Sequence, residues 1–108
     1  MSSSFDDAMV DVYRRSKDEI GYTAGYFLQM ISELGGLEAA RQLLRSDAPS
    51  DGFTTLWEKH RLDLSVEYHV LLPQYEHLFD RREPETAYRR LKDYGFDLSV
   101  FDRMEDPV

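Results

Sequence analysis

The sequence predicts an all-α fold: a compact orthogonal bundle of five to six short helices around a central buried helix at about residues 64–72. Three observations carry that prediction. Apolar residues recur at i, i+3, i+4 and i+7 through most of the chain. No stretch alternates apolar and polar residues between hairpin turns, as a half-buried strand would. Helix-ending residues come at short intervals, at Gly21, Gly35-Gly36, Pro73, Pro84 and Gly95, so no helix can run long.

The central helix is predicted from residues 53–72, the densest apolar run, which holds the only tryptophan and two of the three histidines. Asp63 is a good N-cap for a helix over 64–72, and Pro73 stops or redirects it. On a helical wheel Leu64, Tyr68, Leu71, Leu72 and Tyr75 share one sector. Val66 and Val70 take another, and Ser65 and His69 mark a polar strip. A helix apolar around most of its circumference belongs in the middle of a bundle. Glu67 then projects between Val70 and Leu71, where a carboxylate must be paired, hydrogen-bonded or raised in pKa. The expectation is a buried salt bridge to Arg61 or to an arginine of the 81–90 region. Asp63 and Glu67 are thus read as structural polar residues.

The remaining helices follow in order. Ser4 can cap a first helix, with Asp6 and Asp7 in its first turn and Phe5, Met9, Val12 or Tyr13, Ser16 and Ile20 at helical spacing. Its outer face carries an Asp11–Arg15 pair. Thr23 can cap a second helix that turns Ala24, Phe27, Leu28, Ile31 and Leu34 inward. Gly35-Gly36 makes a corner, and Leu37 to Arg45 forms a third helix. The polar loop from Ser46 to Gly52 leads into a fourth, whose Phe53, Leu56 and Trp57 should point inward. After a short helix over 73–79, Pro84 suits the first position of a helix burying Ala87, Tyr88, Leu91 and Tyr94 and ending at Gly95. One turn is expected near Val100-Phe101. The whole of 1–108 reads as a single domain, with 1–3 and 104–108 frayed.

Composition bounds the function. With no cysteine there is no disulfide and no thiolate metal site. No apolar run approaches the roughly 20 residues of a membrane span. The start Met-Ser-Ser-Ser-Phe-Asp-Asp lacks the basic and apolar regions of a signal peptide, so a cytoplasmic location is the expectation. The net charge is −8, and both halves share it: 5 basic against 9 acidic residues over 1–54, then 8 against 12. That balance argues against direct nucleic-acid binding, which needs Lys and Arg on phosphates, and could steer a basic partner.

The motifs for chemistry are thin. His60, His69 and His77 have no HExxH spacing and do not share a helix face, so no metal or cofactor is expected. Ser65 lies one turn from His69, but no third group is in place to orient the histidine. No catalytic residue is assigned. Seven tyrosines exceed what a small core requires. Tyr22 and Tyr26, beside Gly21 and Gly25, look partly exposed, and with Trp57 and Arg61 they are the candidate binding residues.

The runs GYTAGYFLQMISELGGLEAARQLL and SDGFTTLWEKHRLDLSVE resemble a group of small uncharacterised bacterial helical domains, found free-standing or fused to larger proteins. The resemblance covers most of residues 8 to 95. It brings no activity, cofactor or catalytic residue, and it implies an autonomous accessory module. The leading expectation is therefore a small acidic helical accessory domain that binds a protein partner, a reading favoured over a self-contained enzyme. The alternatives are a nucleic-acid mimic that inhibits a nucleic-acid-binding protein such as a bacterial defence nuclease, and a small enzyme using Glu67.

Overall fold

Residues 62–70 divide their side chains between two apolar clusters, and that division organises the chain. Leu62 and Leu64 enter one cluster with Phe53, Leu56, Leu91 and Phe101. Val66 and Val70 enter the other with Phe5, Met9, Val12, Ala40 and Leu44. A single straight helix from 64 to 72 could not aim at both. The computed structural model describes residues 4–105 and breaks the segment instead. Leu62–Leu64 is a 3₁₀ turn, Ser65 is extended at ψ 157°, and a short helix covers only Val66–Val70.

The expected central helix capped by Asp63 is therefore corrected. Ser65 is the cap: its Oγ accepts the Tyr68 N–H at 3.1 Å and donates to the Leu62 carbonyl at 2.7 Å. Both bonds are local, and they offer the backbone an alternative to a continuous helix. Ser65 and His69 are consequently buried and do not form a polar strip.

Among the described residues there are seven α-helices, two 3₁₀ segments and no strand. Helix α1 (Ser4–Ile20) buries Phe5, Met9, Val12 and Ser16, the stripe its spacing predicts. It packs on α2 (Gly25–Leu34) and α3 (Gly36–Arg45), which meet at Gly35, φ 84°. Gly36 lets α1 and α3 touch backbone to backbone; a Cβ there would stand 2.9 Å from the Asp6 Cα. Asp6 Oδ1 also accepts the Leu37 N–H at 3.0 Å, so a side chain of α1 caps the start of α3.

Helix α4 (Asp51–Glu58) begins at Ser50, whose Oγ accepts the Phe53 N–H at 3.1 Å. It ends in a Schellman turn, with the Arg61 N–H on the Leu56 carbonyl at 2.8 Å and the His60 N–H on the Trp57 carbonyl at 3.0 Å. His60 takes the left-handed position at φ 60°, where glycine is usual; α6 makes the same turn with Gly95. The short helix Val66–Val70 is α5. After the 3₁₀ segment Pro73–Leu78 comes α6 (Arg82–Asp93), packed on α5 and α3, and then α7 (Ser99–Glu105). Residues 104 and 105, expected to fray, are the last two of α7. The termini 1–3 and 106–108, also expected to fray, lie outside the described residues.

Several local expectations change. Thr23 does not cap α2; Ala24 occupies that position and makes no side-chain bond. Pro84 is the third residue of α6, because Asp80 and Glu83 start the helix sooner. Asp80 Oδ1 accepts the Arg82 N–H at 2.8 Å, and Glu83 Oε1 accepts the Asp80 N–H at 3.3 Å. Arg14, not Arg15, approaches Asp11, at 4.0 Å. Trp57 and Tyr88, expected inside, are 44% and 49% exposed. Trp57 lies edge-on to Tyr94 at 5.3 Å. Met30, not predicted, is the buried residue of α2. No helix among the described residues is long and apolar enough to cross a membrane.

Candidate functional site

Helix α2 is apolar, yet Phe27, Leu28 and Ile31 are only half-buried. Phe27 faces a cleft of about 310 Å³ between α2, α1, α4 and the segment 64–67. Helix α1 supplies Val12, Tyr13 and Ser16, and α2 with its approach supplies Tyr22, Tyr26, Phe27 and Met30. The start of α4 supplies Asp51, Gly52 and Phe53, while Leu64 and Glu67 come from the central segment. Gly52 lets Tyr22 close in on the start of α4: a Cβ there would stand 3.1 Å from the Tyr22 hydroxyl. An apolar hollow of this size with a few convergent polar groups is the usual form of a ligand site.

Glu67 is the unusual wall residue. It is 3% exposed, and its Oε2 accepts from Arg90 Nη1 at 3.2 Å. Arg90 is equally hidden, at 5%. Its Nη1 also donates to the Leu43 carbonyl at 3.1 Å and its Nη2 to the Ser46 carbonyl at 2.5 Å. Those carbonyls belong to the end of α3, which has no helical N–H for them, and a cation is favoured there by the helix dipole. One arginine therefore ties α3, α5 and α6 together. Burial pushes the Glu67 carboxyl above its ordinary pKa; its own backbone N–H and Arg90 oppose that, and burial prevails.

The pair bears out the expectation of a buried, salt-bridged Glu67, and of the two sources named it selects the 81–90 region. Arg61 is engaged elsewhere. It donates to Asp63 from Nε at 3.0 Å and Nη2 at 3.2 Å, and to Glu19 from Nη2 at 2.7 Å. Glu19 also accepts from Arg15 Nε at 2.7 Å. Hydrogen bonds from Arg15 and Arg61 hold the Glu19 carboxyl at a pKa of about 2.

His69 is buried, and its Nδ1 lies 2.8 Å from the Ser65 carbonyl. A carbonyl only accepts, so Nδ1 carries the proton, and burial holds the imidazole's pKa below its usual value. The hydroxyl of Ser65 is occupied by Leu62 and Tyr68, so the Ser65–His69 proximity makes no nucleophile–base bond.

Of the residues singled out in the sequence, the cleft brings together Tyr22, Tyr26 and Glu67. Trp57, Arg61 and Asp63 lie outside it. Tyr26 is 75% exposed at the opening. Sequence reasoning missed Tyr13, Met30, Asp51 and Phe53 as wall residues, and for the partner of Glu67 it named the 81–90 region without choosing Arg90. For Arg90 a signal existed: it stands three residues after Ala87 and four before Tyr94, on the face read as buried. No family model, curated protein or solved structure matches this chain.

Proposed function

We propose that this is a small acidic accessory domain that binds a protein partner, and that it does so by seating a partner side chain in the cleft between α1, α2 and α4. The observation that carries the reading is the cleft itself, lined largely by apolar and aromatic side chains with Tyr22 in its wall and Tyr26 exposed at its edge. Exposed aromatic side chains around a hollow are the usual setting for an anchor residue. The resemblance to free-standing or fused bacterial helical domains agrees with an accessory role, and the proposed location is the cytoplasm. The test is site-specific photo-crosslinking in cells. A crosslinker at Tyr26 should capture a discrete protein, one at Arg81 should not, and Ala24→Trp should abolish capture by blocking the opening. Equal capture from both positions would refute the reading.

The enzyme alternative keeps one observation in its favour: Glu67 reaches the cleft with a perturbed carboxyl, and Arg90 bonds only one of its oxygens. No residue in the wall supplies a base or nucleophile of known geometry beside it. The nucleic-acid-mimic alternative gains little, because arginines pair with carboxylates on α1, α3 and α6, at Arg15–Glu19, Arg45–Glu38 and Arg81–Glu85. A phosphate-like array requires acids without cations between them.

A further inference from the structure

The cleft is chemically one-sided. Among the described residues in its wall, the charged ones are Asp51 at the opening and Glu67 inside, both acidic. Five of the others are aromatic: Tyr13, Tyr22, Tyr26, Phe27 and Phe53. Aromatic rings and carboxylates attract the same kind of guest, an organic cation on an apolar stem. An anionic guest would meet two like charges and no donor cation. A neutral guest would leave Glu67 as desolvated as before.

Arg90 does not reverse this preference. It approaches Glu67 from the α3–α6 side, is not in the wall, and shares its charge with the carbonyls of Leu43 and Ser46. Only Glu67 Oε2 accepts from it. An ammonium arriving through the cleft would solvate a carboxylate that burial now disfavours. The net charge of −8 would steer the same partner from a distance.

We propose that the cleft is a receptor for a lysine side chain of the partner protein, its aliphatic stem lying among the aromatic rings and its ammonium directed at Glu67. This rests on the reading of the cleft as the seat of a partner side chain. A volume of about 310 Å³ admits that side chain together with parts of its neighbours.

The test is an NMR titration of the full chain with four probes. They are acetyl-Leu-Lys-Leu-amide, the same peptide with norleucine at the centre, the same with glutamate, and n-hexylamine. The lysine peptide should shift the methyl signals of Val12, Met30 and Leu56 and bind at least tenfold tighter than the norleucine peptide. The glutamate peptide should leave those signals in place. Because Glu67→Gln could disturb the fold, the companion variant is Asp51→Asn, at an exposed position. It should weaken the lysine peptide threefold or more and leave the norleucine peptide unchanged. Norleucine binding as tightly as lysine would overturn the ammonium assignment while leaving the cleft as a seat for a side chain. Hexylamine binding tighter than the lysine peptide would overturn the protein source in favour of a free amine. No shift with any probe would overturn both this inference and the binding-cleft reading.

Discussion

The chain places two glutamates against arginines in opposite surroundings. Glu67 and Arg90 are buried where α3, α5 and α6 meet, and their bond is 3.2 Å. Glu19 and Arg61 lie at the surface, and their bond is 2.7 Å. By distance alone the surface pair would be ranked the stronger. Environment reverses the ranking of consequences. At the surface, water and salt replace a lost partner, so little depends on the pair. Inside, no water replaces Arg90, so removing it strands a desolvated carboxylate. The geometry of an ion pair is therefore a poor guide to what its loss costs.

The largest expected effect follows from that difference. Arg90→Met should destabilise the domain by about 3–5 kcal/mol, because Glu67 is stranded and the α3 carbonyls lose their donor. Adding Glu67→Leu to Arg90→Met should recover a large part of the loss, since an apolar pair leaves no buried charge. Urea unfolding of the single and double variants measures both. A double variant no more stable than Arg90→Met would mean that the bonds to Leu43 and Ser46, not the ion pair, dominate.

Next comes the carboxylate alone. Glu67→Gln keeps the shape and trades a charge-assisted bond for a neutral one while removing a charge that burial disfavours, so its cost should be smaller, about 1 kcal/mol. Glu67→Ala should cost more by leaving Arg90 without its partner. Unfolding curves that overlay the parent for both variants would show that the pair contributes nothing to the fold.

The two glutamates should also respond to acid in opposite directions. Glu19 is held at about 2, below its ordinary 4.5. Its contribution is present above pH 4.5 and is lost as the pH falls toward 2. Glu67 is raised above 4.5, so its protonated form favours the fold below that value, and this is lost as the pH rises through its folded pKa. The stability gap between parent and Glu19→Gln should therefore close on acidification, and the gap between parent and Glu67→Gln should widen. His69, whose pKa is lowered, costs every variant alike as the pH falls below its ordinary 6.5. Chemical denaturation from pH 3 to 7 reads all three. Parallel gaps for the two glutamates would contradict the assignment of surroundings.

How much of this the sequence held depends on whether a feature is local. The burial of Glu67 was legible, because Val66, Val70 and Leu71 surround it within one turn. The break at Ser65 was not, because Asp63 and Ser65 are both good caps two residues apart. The demand of two clusters on Leu62, Leu64, Val66 and Val70 decided between them. Arg90 was not singled out within the 81–90 region because arginines near a helix C-terminus usually face water. The cleft was illegible for a further reason. Tyr13, Met30, Phe53 and Glu67 come from four separate elements, and no spacing within one element shows that they converge.

The smallest expected effect completes the comparison. Arg61→Gln removes the guanidinium bonds to Glu19 and Asp63, and the surface setting holds the cost to about 1 kcal/mol or less, fading at high salt. One complication must be separated out. The Arg61 N–H also closes the Schellman turn at the end of α4, and the residue before it, His60, sits at φ 60° without being glycine. A substitution at 61 could therefore act through the turn as well as through the charge. His60→Gly isolates the turn: it relieves the left-handed strain and should stabilise the domain by a few tenths to about 1 kcal/mol, independent of salt. In the His60→Gly background, Arg61→Gln should keep its small, salt-sensitive cost. If that cost instead disappears there, the Arg61 side chain acts by bracing the strained turn, and the surface cluster contributes nothing as an ion pair.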